Sequence, residues 1–149
     1  MITLNLPKAN ILLSRKEGQV FVHCLIRKKS ILLTPEEWVR QHVVSFLLVE
    51  KRYPLSLMKL EMHLKLNGLV RRPDIVVYNN NGIPIVIVEC KASNVKINQQ
   101  TFEQIAQYNI KLQVPYLMVS NGINHYYCKA NFESKQTTFI KEIPKYENL

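Results

Sequence analysis

The chain is poor in the residues that staple or ligate. Its three cysteines, Cys24, Cys90 and Cys128, are widely spaced, odd in number and outside any CxxC pair, which excludes a disulfide framework and a zinc–thiolate site and fits a reducing cytoplasm. The four histidines, His23, His42, His63 and His125, also lack ligand spacing. The four glycines, Gly18, Gly68, Gly82 and Gly122, lie too far apart to form a GxxxxGK[ST] loop, so no P-loop nucleotide motor is encoded here. No apolar run approaches the ~18–20 residues that cross a bilayer, and the N-terminus lacks the charged-then-apolar order of a signal peptide. Acids are scarce too. Twenty Lys and Arg against 11 Asp and Glu give a net charge of +9 and a pI near 9.6, a balance that favours polyanions, nucleic acid before acidic membrane.

What is present describes one globular domain. Apolar residues make up 47% of the 149 and charged residues 21%, enough for a core and too short a chain for two ordinary domains. An N-terminal extension and hairpin occupy 1–33, a core about 34–130, and an edge strand with a frayed tail 131–149. Residues 1–18 read as an extended segment laid on the body. Two apolar runs from Val20 to Leu33 flank Arg27-Lys28-Lys29-Ser30, a hairpin with a basic, solvated tip.

Thr34-Pro35-Glu36-Glu37 signals a helix start, with Thr34 as N-cap, Pro35 at the first position and Glu37 at the capping-box position. The helix is expected to run to about Arg52, before Pro54. From Met58 to Leu66 apolar and polar residues alternate, the pattern of a half-buried strand. Asn67-Gly68 then turns the chain back in a register that sets Glu61 opposite Asp74. A second helix is expected over Thr101–Gln113, its apolar stripe formed by Phe102, Ile105, Ala106, Asn109 and Leu112. Gln104 and Tyr108, four apart, share the next stripe round. Strands follow at Tyr116–Ser120 and His125–Lys129, with an edge over Thr137–Ile143.

The chemistry concentrates between Arg71 and Lys91. Two β-branched runs, Ile75–Tyr78 and Ile83–Val88, flank the turn-forming Asn79-Asn80-Asn81-Gly82 and read as an antiparallel hairpin. A turn centred between Asn80 and Asn81 places Asp74 opposite Ile87 and diagonal to Glu89. By alternation, Ile85, Ile87, Glu89 and Lys91 share a face with Asp74, while Val86, Val88 and Cys90 face the other way. The polar face of the Met58–Leu66 strand falls on the acid side, which predicts an open cleft there. Two acids and an ammonium thus converge at one end of an apolar hairpin, about 7–8 Å apart for diagonal neighbours, a gap that a cation of the Mg²⁺ type can bridge. The paired carboxylates should strain the metal-free site, by on the order of 2 kcal/mol at an effective dielectric near 20.

Asp74 after a proline, with Glu89-Cys90-Lys91 fifteen residues on from the aspartate, resembles the PD-(D/E)xK nuclease superfamily. In combination, Thr-Pro-Glu-Glu-Trp-Val-Arg-Gln, Arg-Arg-Pro-Asp-Ile-Val-Val-Tyr, Ile-Val-Glu-Cys-Lys-Ala, Phe-Glu-Gln-Ile-Ala-Gln-Tyr-Asn and a closing Ser-Asn-Gly resemble the N-terminal nuclease domain of the type I restriction enzyme R subunit, in its stand-alone form. The likeness spans roughly Leu33–Gly122. It implies an α/β restriction-endonuclease-like core, a mixed β-sheet flanked by α-helices. It further implies that Asp74 and Glu89, with the Cys90 carbonyl, hold Mg²⁺ or Mn²⁺, and that Lys91 orients the attacking water and offsets phosphate charge. A first-helix glutamate, Glu37, is implied near the metal, and Gln104 and Tyr108 beside it. Glu61 is a further auxiliary candidate, or a surface partner for a nearby cation. Arg71, Arg72 and Lys96 are candidate DNA-backbone contacts.

The resulting expectation is a metal-dependent phosphodiesterase acting on DNA in the cytoplasm, without the ATPase motor, working alone or with restriction-modification subunits or a separate motor protein. The alternative is a non-catalytic DNA-binding or regulatory module that keeps the nuclease fold.

Overall fold

A computed structural model describes all 149 residues. The long apolar run Pro84–Cys90 forms the strand β8, at the middle of a six-stranded mixed sheet. In chain order its strands are β4 (Met58–Leu60), β7 (Ile75–Tyr78), β8, β9 (Tyr116–Ser120), β10 (His125–Asn131) and β11 (Gln136–Ile140), and they lie side by side as β11-β10-β9-β8-β7-β4. Strands β8 and β9 are parallel, so the chain between them must cross over the sheet. The helix α2 (Gln99–Leu112) makes that crossover.

Both faces of the sheet are covered, which is why β8 is apolar on both sides. Val86, Val88 and Cys90 pack with Ile75, Val77 and Met58 against Val39, Val43 and Leu47 of α1 (Pro35–Val49). Ile87, Leu117 and Val119 face the opposite way, onto Phe102, Ala106 and Leu112 of α2. At ~1.5–3 kcal/mol per fully buried aliphatic side chain, these two layers fix the sheet between its helices.

Helix α1 starts as expected, the Glu37 N–H donating to Thr34 Oγ1 at 3.0 Å. It ends at Val49 instead of Arg52, because Arg52 takes a left-handed backbone with φ of 62° and lets Tyr53 turn under the body, where its hydroxyl donates to Pro144 O at 2.9 Å. Ile143 is fully buried beside it, and Tyr146 N donates to Lys51 O at 2.9 Å. The tail is therefore docked, not frayed.

Two strand expectations need correction. Residues 58–66 form two short strands, β4 and β5 (Leu64–Leu66), because Glu61 adopts φ of 50°. The register survives the break: Leu60 pairs with Ile75 in the large sheet, and Leu64 pairs with Arg71 of β6 (Leu69–Arg71) in a separate ribbon. In the central hairpin, Val76 pairs with Ile87, two positions on from the expected Ile85. The cause is the loop, in which Asn79 Oδ1 accepts from both Asn81 N and Ile83 N at 2.9 and 3.0 Å, with a bulge between Val77 and Tyr78. A slip of two preserves every face. It also brings Asp74 level with Glu89 instead of diagonal to it.

The expected open cleft on the acid face is also corrected. Val76 and Ile87, on that face, are fully buried, and α2 and the β5–β6 ribbon cover Ile87 with Phe102, Leu64, Leu66 and Leu69. The acids sit at the end of the sheet, beyond that cover.

The segment before α1 forms its own three-stranded sheet, β1 (Leu13–Lys16), β2 (Gln19–Cys24) and β3 (Lys29–Leu32). In place of the expected extended chain, residues 13–16 make a strand, which the Glu17-Gly18 turn pairs with β2. The first residues do lie on the body: Asn5 N donates to Gly122 O at 2.7 Å. Gly122 has φ of +86°, and a Cβ there would meet Leu4 at 2.7 Å, so the Ser-Asn-Gly turn is the seat on which the N-terminal segment rests.

Candidate active site

Asp74 follows the buried Pro73 at the mouth of β7. Its two oxygens are both engaged: Oδ2 accepts from the Cys90 N–H at 2.8 Å and Oδ1 from Arg40 Nη2 at 2.7 Å. The first bond ties the aspartate to the strand carrying Glu89 and Lys91. Since a strand residue's N–H and C=O point to the same edge, the Cys90 carbonyl is directed toward that side too. The Cys90 thiol is not available as a donor, because burial raises its pKa well above the usual thiol range.

Glu89 makes an ion pair with Arg71. Burial pushes its carboxyl up to about 7 against the pull of the Arg71 charge, and the neighbouring Asp74 adds to the rise. Two carboxylates of neighbouring strands thus feel one another at the sheet end. Lys91 stands two residues on, exposed, its backbone N–H held by Ser120 O at 2.9 Å, and it is the cation of the group with no carboxylate partner.

The first-helix glutamates divide differently from expectation. Glu37 does not close a capping box with its side chain. It is 6% exposed, and its carboxylate accepts from Arg27 at 3.1 Å, Arg40 at 2.8 Å and Gln41 at 3.0 Å. It is an anchor for two arginines. Glu36 is the helix acid nearest Asp74, the two sharing Arg40 Nη2 at 3.0 and 2.7 Å. Burial first, and then the Asp74 charge, raise the Glu36 carboxyl. Glu61 pairs with Arg27 at 2.8 Å and Arg72 at 3.5 Å. Burial works against its ionisation, but these arginines together with Arg40 outweigh it and hold its pKa below the usual value.

The basic tip of the β2–β3 hairpin accordingly has a structural task. Arg27 turns inward, bridges Glu37 and Glu61, and fastens the N-terminal sheet to the site. Sequence reasoning missed Arg27 and Arg40 as site residues. For Arg40 a signal existed, since it stands four residues after Glu36 and three after Glu37, helical neighbours. Nothing local marks Arg27.

Of the proposed DNA contacts, Arg71 is turned onto Glu89, Arg72 remains half exposed beside Glu61, and Lys96 stands in the exposed loop after Lys91 with no ion pair. Tyr108 is brought to the site: its ring underlies the Arg71 guanidinium at 4.9 Å and its hydroxyl donates to Val70 O at 2.9 Å. Gln104, one turn earlier, is exposed and makes no side-chain hydrogen bond. A surface cavity of about 600 Å³ lies elsewhere, between Asn67, Lys111, Phe132 and Lys135.

The donor set suits a hard cation. Asp74, Glu89 and the Cys90 carbonyl offer only oxygen, and each carboxylate already stabilises a positive charge. No three His, Cys, Asp or Glu side chains converge into a ready-made cage, but Mg²⁺ does not require one, since it keeps several waters and binds through one or two carboxylates.

Residues 35–144 match the family model of the type I restriction enzyme R protein N terminus (HSDR_N). The chain belongs to this family. Among solved structures, a candidate HsdR subunit fragment of a type I restriction enzyme from Vibrio vulnificus YJ016 superimposes with a TM-score of 0.50 at 17% identity, over 76% of this HSDR_N chain and 24% of that one. A candidate nuclease of family DUF820 from Anabaena variabilis ATCC 29413 gives a TM-score of 0.47 at 15% identity, over 95% and 86% of the two chains. No curated protein matches the sequence. At 17% identity the likeness to the Vibrio fragment bears on the fold alone, the mixed sheet with its flanking helices. This HSDR_N chain spans about a quarter of the Vibrio chain, 24% of its length. No helix is long and apolar enough to cross a membrane.

Proposed function

We propose that this HSDR_N chain is a Mg²⁺-dependent DNA phosphodiesterase that has restriction-modification subunits or a separate translocase as partners. The observation that supports this best is the meeting of Asp74, Glu89 and the unpaired Lys91 at one end of the sheet, with the two acids close enough to perturb each other. Mg²⁺ or Mn²⁺, bound there, supplies Lewis acidity and compensates the negative charge that develops at phosphorus.

Each residue then has a task. Asp74 is held in place by Cys90 N–H and Arg40 and presents its carboxylate toward Glu89. Glu89 is the second anionic ligand, and its raised pKa means that it releases its proton near neutrality. Lys91 Nζ is free to donate to a phosphate oxygen and to orient the attacking water in line. The Glu36 carboxylate, which takes up a proton more readily than an ordinary glutamate, is placed to accept one from that side of the site. Arg72 and Lys96 contact backbone phosphate, which gives affinity without sequence readout. Tyr108 supports Arg71, and Gln104 extends the same helix edge toward DNA.

Incubation of the chain with supercoiled and linear DNA, with Mg²⁺ or with chelator, tests this reading. Nicking or linearisation that needs the metal and disappears in Glu89→Ala is expected. DNA binding that is intact in both proteins, with no cleavage by either under any metal, would favour the non-catalytic module.

A further inference from the structure

Two arginines sit on the site carboxylates, and their situations differ. Arg40 is 6% exposed and bridges Glu36, Glu37 and Asp74 at 3.0, 2.8 and 2.7 Å. Moving it would strand the shielded Glu37 and Asp74 carboxylates together. Arg71 has one carboxylate partner, Glu89. Its Nη1 is buried with no hydrogen-bond partner, as Arg40 Nε is too, so the single ion pair is what sets Arg71 apart, in a group that offers five donors in a rigid fork. The guanidinium carbon lies over the Tyr108 ring, 4.9 Å from its centroid, and the ring is itself pinned by its hydroxyl to Val70 O at 2.9 Å. A guanidinium with a single ion pair, an unused donor and an aromatic surface beneath it is built to change partners.

The charge count points the same way. Counted as formal charges, Glu36, Glu37, Glu61, Asp74 and Glu89 are matched by Arg27, Arg40, Arg71, Arg72 and Lys91, so the closed site is neutral and the chain's +9 lies elsewhere. A divalent cation that takes Glu89 displaces Arg71 and brings the formal charge of the same ten groups with the ion to +2. Resting on the reading of Asp74 and Glu89 as cation ligands, we infer that Arg71 is a latch shared between cation and nucleic acid. It occupies Glu89 in the free protein, competes there with the divalent cation, and once displaced offers its fork to a substrate phosphate. Cation and nucleic acid then strengthen one another's binding by the same factor, as linkage requires.

Calorimetric titration of Mn²⁺ into the full chain, alone and with a slowly cleaved phosphorothioate duplex, tests the latch. Without duplex, Arg71→Gln should bind Mn²⁺ about tenfold more tightly than the parent, since the competitor is gone. In the parent, Mn²⁺ should raise duplex affinity by about tenfold, within the usual range of coupling between sites, and in Arg71→Gln by less than about twofold. Arg71→Lys, which keeps a cation on Glu89, guards against misfolding and should hold Mn²⁺ near the parental affinity. Equal or weaker Mn²⁺ binding by a folded Arg71→Gln would overturn the latch and leave the cation site standing. Failure of all three proteins to bind Mn²⁺ would overturn the cation reading, and the latch with it.

Discussion

Replacing Glu89 by glutamine should stabilise the metal-free protein at alkaline pH and do little at acid pH. The carboxyl is raised from 4.5 to about 7 by burial, and a pKa that differs by one between folded and unfolded chain corresponds to about 1.36 kcal/mol. Below the unfolded value both states hold the proton and the charge costs nothing. Between the two values the folded state binds the proton and the unfolded chain does not, so stability falls as pH rises. Above about pH 7 the full cost is present, on the order of 3 kcal/mol. Glutamine keeps the shape without the charge, and the raised pKa already includes the attraction of Arg71 that the substitution removes. Urea unfolding in chelator should therefore find Glu89→Gln more stable by about 3 kcal/mol near pH 8, a rise of roughly 6–12 °C in melting temperature for a chain of this size. Near pH 5 the difference should shrink below about 1 kcal/mol. A Glu89→Gln protein less stable than the parent at pH 8 would show that the Arg71 pair is a structural salt bridge, and the argument for a strained ligand would fail.

Asp74→Asn should behave in the opposite sense, losing about 2 kcal/mol because it deprives the buried Arg40 of a charge partner, and it should abolish any thermal gain from Mg²⁺; a metal-induced gain that survives would remove Asp74 from the site. Tyr108→Phe deletes only the bond to Val70 O and should cost about 1 kcal/mol in denaturant melts, whereas Gln104→Ala, exposed and unbonded, should leave stability unchanged while weakening DNA binding in a gel-shift titration. DNA affinity should fall with salt at about −0.9 in the log–log slope per phosphate contact; a flat salt dependence by fluorescence anisotropy would contradict backbone recognition.

Elements and faces were legible in the order of residues. Periodicity placed α1, α2, β8, β9 and β10, since those segments bury one stripe or both sides and little else can satisfy them. The chain's one aspartate, Asp74, and the Glu-Cys-Lys run stood out because acids are costly beside so apolar a strand. The side of the hairpin on which they lie followed from the two-residue pleat, which a register slip of two does not disturb. What the acids touch was settled only by packing. A left-handed Glu61 split one expected strand into two, and a turn widened by Asn79 moved Asp74 level with Glu89. Above all, the arginines on the carboxylates came from afar: Arg27 from a hairpin ten residues before Glu37 and 34 before Glu61, and Arg40 from a helix 34 residues before Asp74. Such pairings depend on how separate layers pack, and no local spacing encodes them.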